Sequence, residues 1–171
     1  MNIQFQALDS TWGLKLSEIP WSRKDVVNAS KIKPNNSDYA YAFEWHHSLA
    51  PKLLNQILNQ KIKAKVATGG FASQIEGKER TFASGTIIIP AGIQSTHNWR
   101  EKLAVLAHIT NIELITINSG LTSQGIDFGS NSFYELKQPK VLLLGGKGIS
   151  QYEAGEIRYY FDETLQIPVS I

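Results

Sequence analysis

A chain of 171 residues with an apolar fraction of 42%, a charged fraction of 19% and a net charge of +2 has the composition of one globular domain with a complete core. That charge is too small to argue for nucleic acid or an anionic membrane, and no apolar run approaches the roughly 20 residues that a bilayer span needs. The absence of cysteine excludes disulfides, thiolate metal ligands and a cysteine nucleophile.

Residues 1–37 are expected to form an N-terminal arm or linker. Ile3, Phe5 and Ala7 alternate with polar neighbours as in a short strand, whereas Trp12, Leu14, Leu16, Ile19 and Trp21 follow no period. Lys33-Pro34-Asn35-Asn36-Ser37 is a loop by composition. No basic stretch followed by an apolar one opens the chain, so no signal peptide is expected there.

Residues 38–171 are expected to be one α/β domain. Tyr39, Tyr41, Phe43 and Trp45 alternate with Ala40, Ala42 and Glu44, a strand pattern. Ser48 is placed to cap a helix carrying Leu49, Leu53, Leu54, Ile57 and Leu58 on one stripe, with Pro51 harmless in its first turn. The stretch 61–67 reads as the next strand, with Lys61, Lys63 and Lys65 on its wet side rather than as a binding patch. The stretch 68–83, holding Gly69, Gly70 and Gly77, reads as a polar loop. A buried strand at 86–89, a helix at about 98–111 and a strand at 112–117 follow. The stretch 118–139 shows no clear period and is long for a connection in a compact domain. The end of the chain is the plainest βαβ unit: an apolar run Val141 to Leu144 expected to be buried, a glycine turn, a helix capped by Ser150 and Glu153, and a strand at 167–171. This alternation predicts a three-layer sandwich of the flavodoxin type, with a mainly parallel sheet, helices on both faces and ligands at the carboxyl ends of the strands.

The chemistry-bearing motifs are few. Gly145-Gly146-Lys147-Gly148 fails as a Walker loop because Val141 stands at the first glycine position and Gly148 follows the lysine; a dinucleotide fingerprint would need glycine at Gln151. The helix N-terminus behind Gly146 and Gly148 is an anion-site candidate, set against a purely structural turn already served by Glu153. Glu44, His46 and His47 meet where the first strand enters its helix, and form the second candidate for ligand binding. Adjacent histidines point apart, and neither H-x-x-E nor H-E-x-x-H occurs, so no metal site is expected. Gly129-Ser130-Asn131-Ser132 and Gly70-Phe71-Ala72-Ser73 do not match a serine nucleophile elbow. No catalytic residue is assigned.

Several runs resemble a known family. INSGLTSQGIDFGSNSF, KVLLLGGKGISQYEAGEIRYYFDETLQIPVSI, YAFEWHHSLAPKLLNQILNQKIKAKVAT and FASGTIIIPAGIQ look like the region that follows the peptidase domain in bacterial zinc carboxypeptidases. That region is similar to the class I glutamine amidotransferase fold without its catalysis. The resemblance implies a non-catalytic accessory domain, an upstream peptidase domain on the same polypeptide as its partner, and a periplasmic or secreted location. It also implies that zinc belongs to the parent's peptidase domain and that this chain holds no cofactor of its own. The family's zinc ligands and base match no position here, so none is carried over. A homo-oligomer, or a self-standing domain that binds or hydrolyses a small ligand at its strand ends, is the alternative.

Overall fold

The computed structural model describes residues 38–171; the arm or linker expected at 1–37 lies outside them. Ten short strands and three α-helices follow in the order β1 (Ala40–Phe43), α1 (Ala50–Asn59), β2 (Lys65–Ala67), β3 (Phe71–Ile75), β4 (Lys78–Phe82), β5 (Ile87–Pro90), α2 (Trp99–Thr110), β6 (Ile115–Ile117), β7 (Gln124–Gly125), β8 (Phe133–Glu135), β9 (Val141–Leu142), α3 (Gln151–Tyr159) and β10 (Val169–Ser170).

The main sheet has the order β6-β1-β5-β2-β8, and every neighbouring pair in it is antiparallel. This corrects the expected flavodoxin-like, mainly parallel sandwich. β1 and β2 are both antiparallel to β5 and so run parallel to each other, with β5 seated between them. β5 and β6 are likewise parallel across β1. Each βαβ unit is thus split by a strand of the other, the ferredoxin-like connectivity. The cause lies between β2 and β5. Parallel neighbours need a crossover element, whereas here the stretch read as a polar loop is a β-hairpin, β3–β4. Through it the chain returns beside β2 in the opposite direction.

The main sheet buries both faces. Tyr41 and Phe43 of β1 and Ile87 and Ile89 of β5 point towards α1 and α2, meeting Leu53, Ile57, Trp99 and Leu103. Both helices therefore share one face, which also departs from the doubly covered sheet expected. Burying each such side chain contributes about 1.5–3 kcal/mol. The opposite face carries Ala40, Ala42, Ile88 and Ile117, closed over by Phe71, Phe82, Phe128 and Phe133. Phe71 stacks on Phe82 with centroids 4.7 Å apart and meets Phe128 and Phe133 edge-on at 5.2 and 5.5 Å. Alanines on β1 leave the depth that these rings occupy, the large-against-small fit of a close-packed interior.

β3 lies between β4 and β7 in a second antiparallel sheet. The β3–β7 approach depends on Gly125, whose φ is +83°; a Cβ there would stand 2.1 Å from the Gly70 carbonyl oxygen and 2.7 Å from Phe71 Cα. The long connection 118–139 is thus a packed segment contributing Phe128 to the core and β7 and β8 to the two sheets.

The C-terminal βαβ unit stands apart from both cores. β9 and β10 pair in parallel, Val169 opposite Val141, as the sequence suggests, and Ser150 Oγ accepts from Glu153 N–H at the start of α3. The helix runs on as a π-helical segment, Tyr160–Leu165. Yet α3 has no buried residue, and Leu142 and Leu144 are 67% and 69% exposed, so the buried strand expected here is a surface one. Leu165 and Ile167 are buried, and Gln166 is gripped by α1 through bonds from Asn55 Nδ2 and Gln56 Nε2.

Candidate functional site

The turn after β1 holds the residues singled out in sequence. α1 begins one residue later than expected, with Leu49 rather than Ser48 at its N-cap position and no side-chain cap. The gap is filled by His47, whose Nδ1 accepts a hydrogen bond from the Leu49 backbone N–H at 3.1 Å. That bond requires an unprotonated Nδ1. Burial, reinforced by the neighbouring imidazole of His46, lowers the pKa of His47 below 6.5. His47 therefore works as a neutral structural acceptor.

Glu44 and His46 do come together: Glu44 Oε2 lies 3.2 Å from His46 Nδ1. Glu44 Oε1 faces Arg80 Nη2 of β4 at 3.9 Å, and the Arg80 guanidinium sits 5.6 Å from the Phe82 ring centroid. Glu44, His46, His47 and Arg80 line a cleft of about 190 Å³ whose far wall is Asn111, Ile112, Glu113 and Ile115, between α2 and β6. His46 is exposed and Glu44 half-buried, and exposed pairs of this kind contribute about 0–1 kcal/mol. The carboxylate holds an imidazole and a guanidinium in a shared field, which suits contact with a small polar ligand. The lining residues include no hydroxyl, thiol or amine that could act as a nucleophile.

Arg80 is hidden from the sequence by the loop-like composition of 68–83, and Glu113, in the stretch read as a strand at 112–117, carries no local signal that it lines the cleft. A signal was present: Glu76-Gly77 separates FASQI from KERTF, and both turn residues have positive φ, 51° and 79°. This is the two-residue hairpin turn that favours glycine second.

Gly146 and Gly148 do not join this cleft. They form the turn before α3 with φ of +106° and +90°, and a Cβ at either would meet nothing within 4 Å. The expected glycine turn is there, but neither glycine lines the cleft of Glu44, His46 and His47. His97 and His108 are exposed at opposite ends of α2. Among the described residues no group of three or more His, Cys, Asp or Glu side chains is placed to hold a metal. No helix among them is long and apolar enough to cross a membrane. No protein-family model matches the chain, and no curated protein or solved structure matches it.

Proposed function

We propose that this chain is a non-catalytic accessory domain of a zinc carboxypeptidase-like protein, packing against a neighbouring domain and serving stability, assembly or substrate presentation. The observation that carries the reading is the C-terminal unit. A parallel sheet is ordinarily covered on both faces, but here two strands and α3 expose Leu142, Leu144, Ile157 and Tyr159. Four exposed apolar side chains on one small unit are more than scattered surface residues ask for, and they support a contact role. Neither core cluster includes any of these four side chains. The chain also contains no cysteine for amidotransferase chemistry.

Incubating the purified chain with zinc and peptides bearing free C-termini is expected to release no amino acid above buffer. Metal-dependent cleavage well above background would overturn the reading. Dye binding tests the surface itself: Leu142→Glu with Leu144→Glu is expected to abolish 8-anilinonaphthalene sulfonate fluorescence enhancement without changing the fold.

The Glu44–His46–Arg80 cleft favours a second reading, a small-ligand-binding domain. Thermal-shift screening with nucleotides, sugars and amino acids tests it, and no shift with any of them would remove it.

A further inference from the structure

The C-terminal unit is held to the main domain at one small joint. Within 140–171 only Leu165 and Ile167 are buried, and neither core cluster includes them. Gln166, between the two, receives hydrogen bonds from Asn55 Nδ2 on its carbonyl and from Gln56 Nε2 on its side chain. The connection 137–139 is exposed and follows Leu136, whose N–H bonds the Ala64 carbonyl in the main domain. Its side-chain tie, Gln138 Nε2 to Asn59 Oδ1 at 2.5 Å, lies on the surface.

Several features of this joint work against its closure. Asn55 and Gln56 turn their amide nitrogens to Gln166, and Asn55 Oδ1 and Gln56 Oε1 are left buried with no donor among the described residues. A buried acceptor without a partner is costly, and water satisfies it once it is exposed. Gln166 has a φ of 56°, the left-handed region in which a residue with a side chain is strained. The turn before it, Tyr160–Leu165, is π-helical, a form that is rare and often tied to function. A cleft of about 230 Å³ remains between Leu54 and Leu58 of α1 and Ile167, where a close-packed interior would leave none. Against these stand two buried aliphatic side chains and the two hydrogen bonds to Gln166. A segment with so few buried contacts belongs to the low-stability end of a fold, where opening occurs without global unfolding.

We propose that residues 140–171 swing away from α1 as one unit about the 137–139 connection, so that the chain exchanges between a closed and an open form. Release of Gln166 brings the two orphaned acceptors to water and frees the π-helical turn to relax. The open form adds Leu54, Leu58, Leu165 and Ile167 to the exposed apolar surface. This opening is a property of the chain alone and does not rest on the accessory-domain reading.

The distance between the two bodies tests the proposal. The chain contains no cysteine, so Val105→Cys and Tyr152→Cys, at positions 57% and 89% exposed, place one dye on each body without a competing thiol. Single-molecule energy transfer is expected to resolve two distances, the open one minor. Ile167→Ser removes an anchor outside both core clusters and is expected to raise the open-to-closed ratio about 10-fold or more. Gln56→Leu with Gln166→Leu removes one orphaned acceptor and is expected to lower the ratio about 3-fold or more. A single distance in Ile167→Ser, a ratio unchanged by that substitution, or a ratio that the double substitution fails to lower would each overturn the proposal. The Tyr39 and Ala67 N–H groups, bonded to the Ile117 and Thr86 carbonyls, are expected to keep their exchange protection in Ile167→Ser. Loss of that protection would assign the second distance to global unfolding and overturn the proposal as well. None of these outcomes bears on whether the chain cleaves peptides, so the two readings fail separately.

Discussion

Asn55 in α1 gives its side-chain amide hydrogen to the backbone carbonyl of Gln166, a residue 111 positions further along the chain. Leu165 and Ile167, on either side of Gln166, are the buried anchors of the C-terminal unit, so this bond sits where that unit joins the main domain. Replacing Asn55 with Ala is expected to cost about 1–3 kcal/mol, since the Gln166 carbonyl loses its partner. Hydrogen exchange localises the effect: amides of 151–167 exchange faster, while those of β1 and β5 keep their protection.

Gly125→Ala brings a Cβ to 2.1 Å from the Gly70 carbonyl oxygen at a φ of +83°. A non-glycine residue at such a backbone costs about 1–3 kcal/mol before any clash. The variant is expected to lose β3–β7 pairing, seen as the disappearance of slow exchange at the Ser123 N–H, which bonds the Ala72 carbonyl at 2.9 Å.

Phe71 touches Phe82, Phe128 and Phe133. Truncating it to Ala removes the centre of that cluster and is expected to destabilise the domain by about 3–5 kcal/mol in urea unfolding. Ala42→Val on the facing strand overpacks the same space and is expected to cost about 1–3 kcal/mol.

His47 has a native pKa below 6.5 because burial penalises its charged form. The unfolded chain therefore binds its proton more readily than the folded one, and stability is lost as pH falls through 6.5 towards the native value. His47→Asn retains an acceptor near the Nδ1 position but does not titrate. The stability of wild type relative to this variant is expected to be flat above about pH 7.5 and to decline towards pH 5. A pH-independent difference would show that the proton is not linked to folding at this site.

Elements whose cause is local could be read from the chain alone. The stripe of Leu53 and Ile57 placed α1, Trp99 and Leu103 placed α2, and Ser150 with Glu153 placed the start of α3. Periodicity and capping act within a few residues, so neighbouring side chains suffice to reveal them. The closeness of Glu44 and His46 was legible for the same reason. Strand direction was not. An alternation of strands and helices is compatible with a parallel sheet and with the split antiparallel one; the choice turns on whether β5 enters between β1 and β2 or outside them. That pairing joins residues far apart in sequence, and it is decided by the Glu76-Gly77 hairpin and by the Phe71 cluster that holds the hairpin against β1. Arg80 of β4 reaches Glu44 through the same long-range packing. Leu142 and Leu144 read as core by composition. They are surface residues because burial depends on what the rest of the fold places over a strand, and the described residues place nothing over theirs.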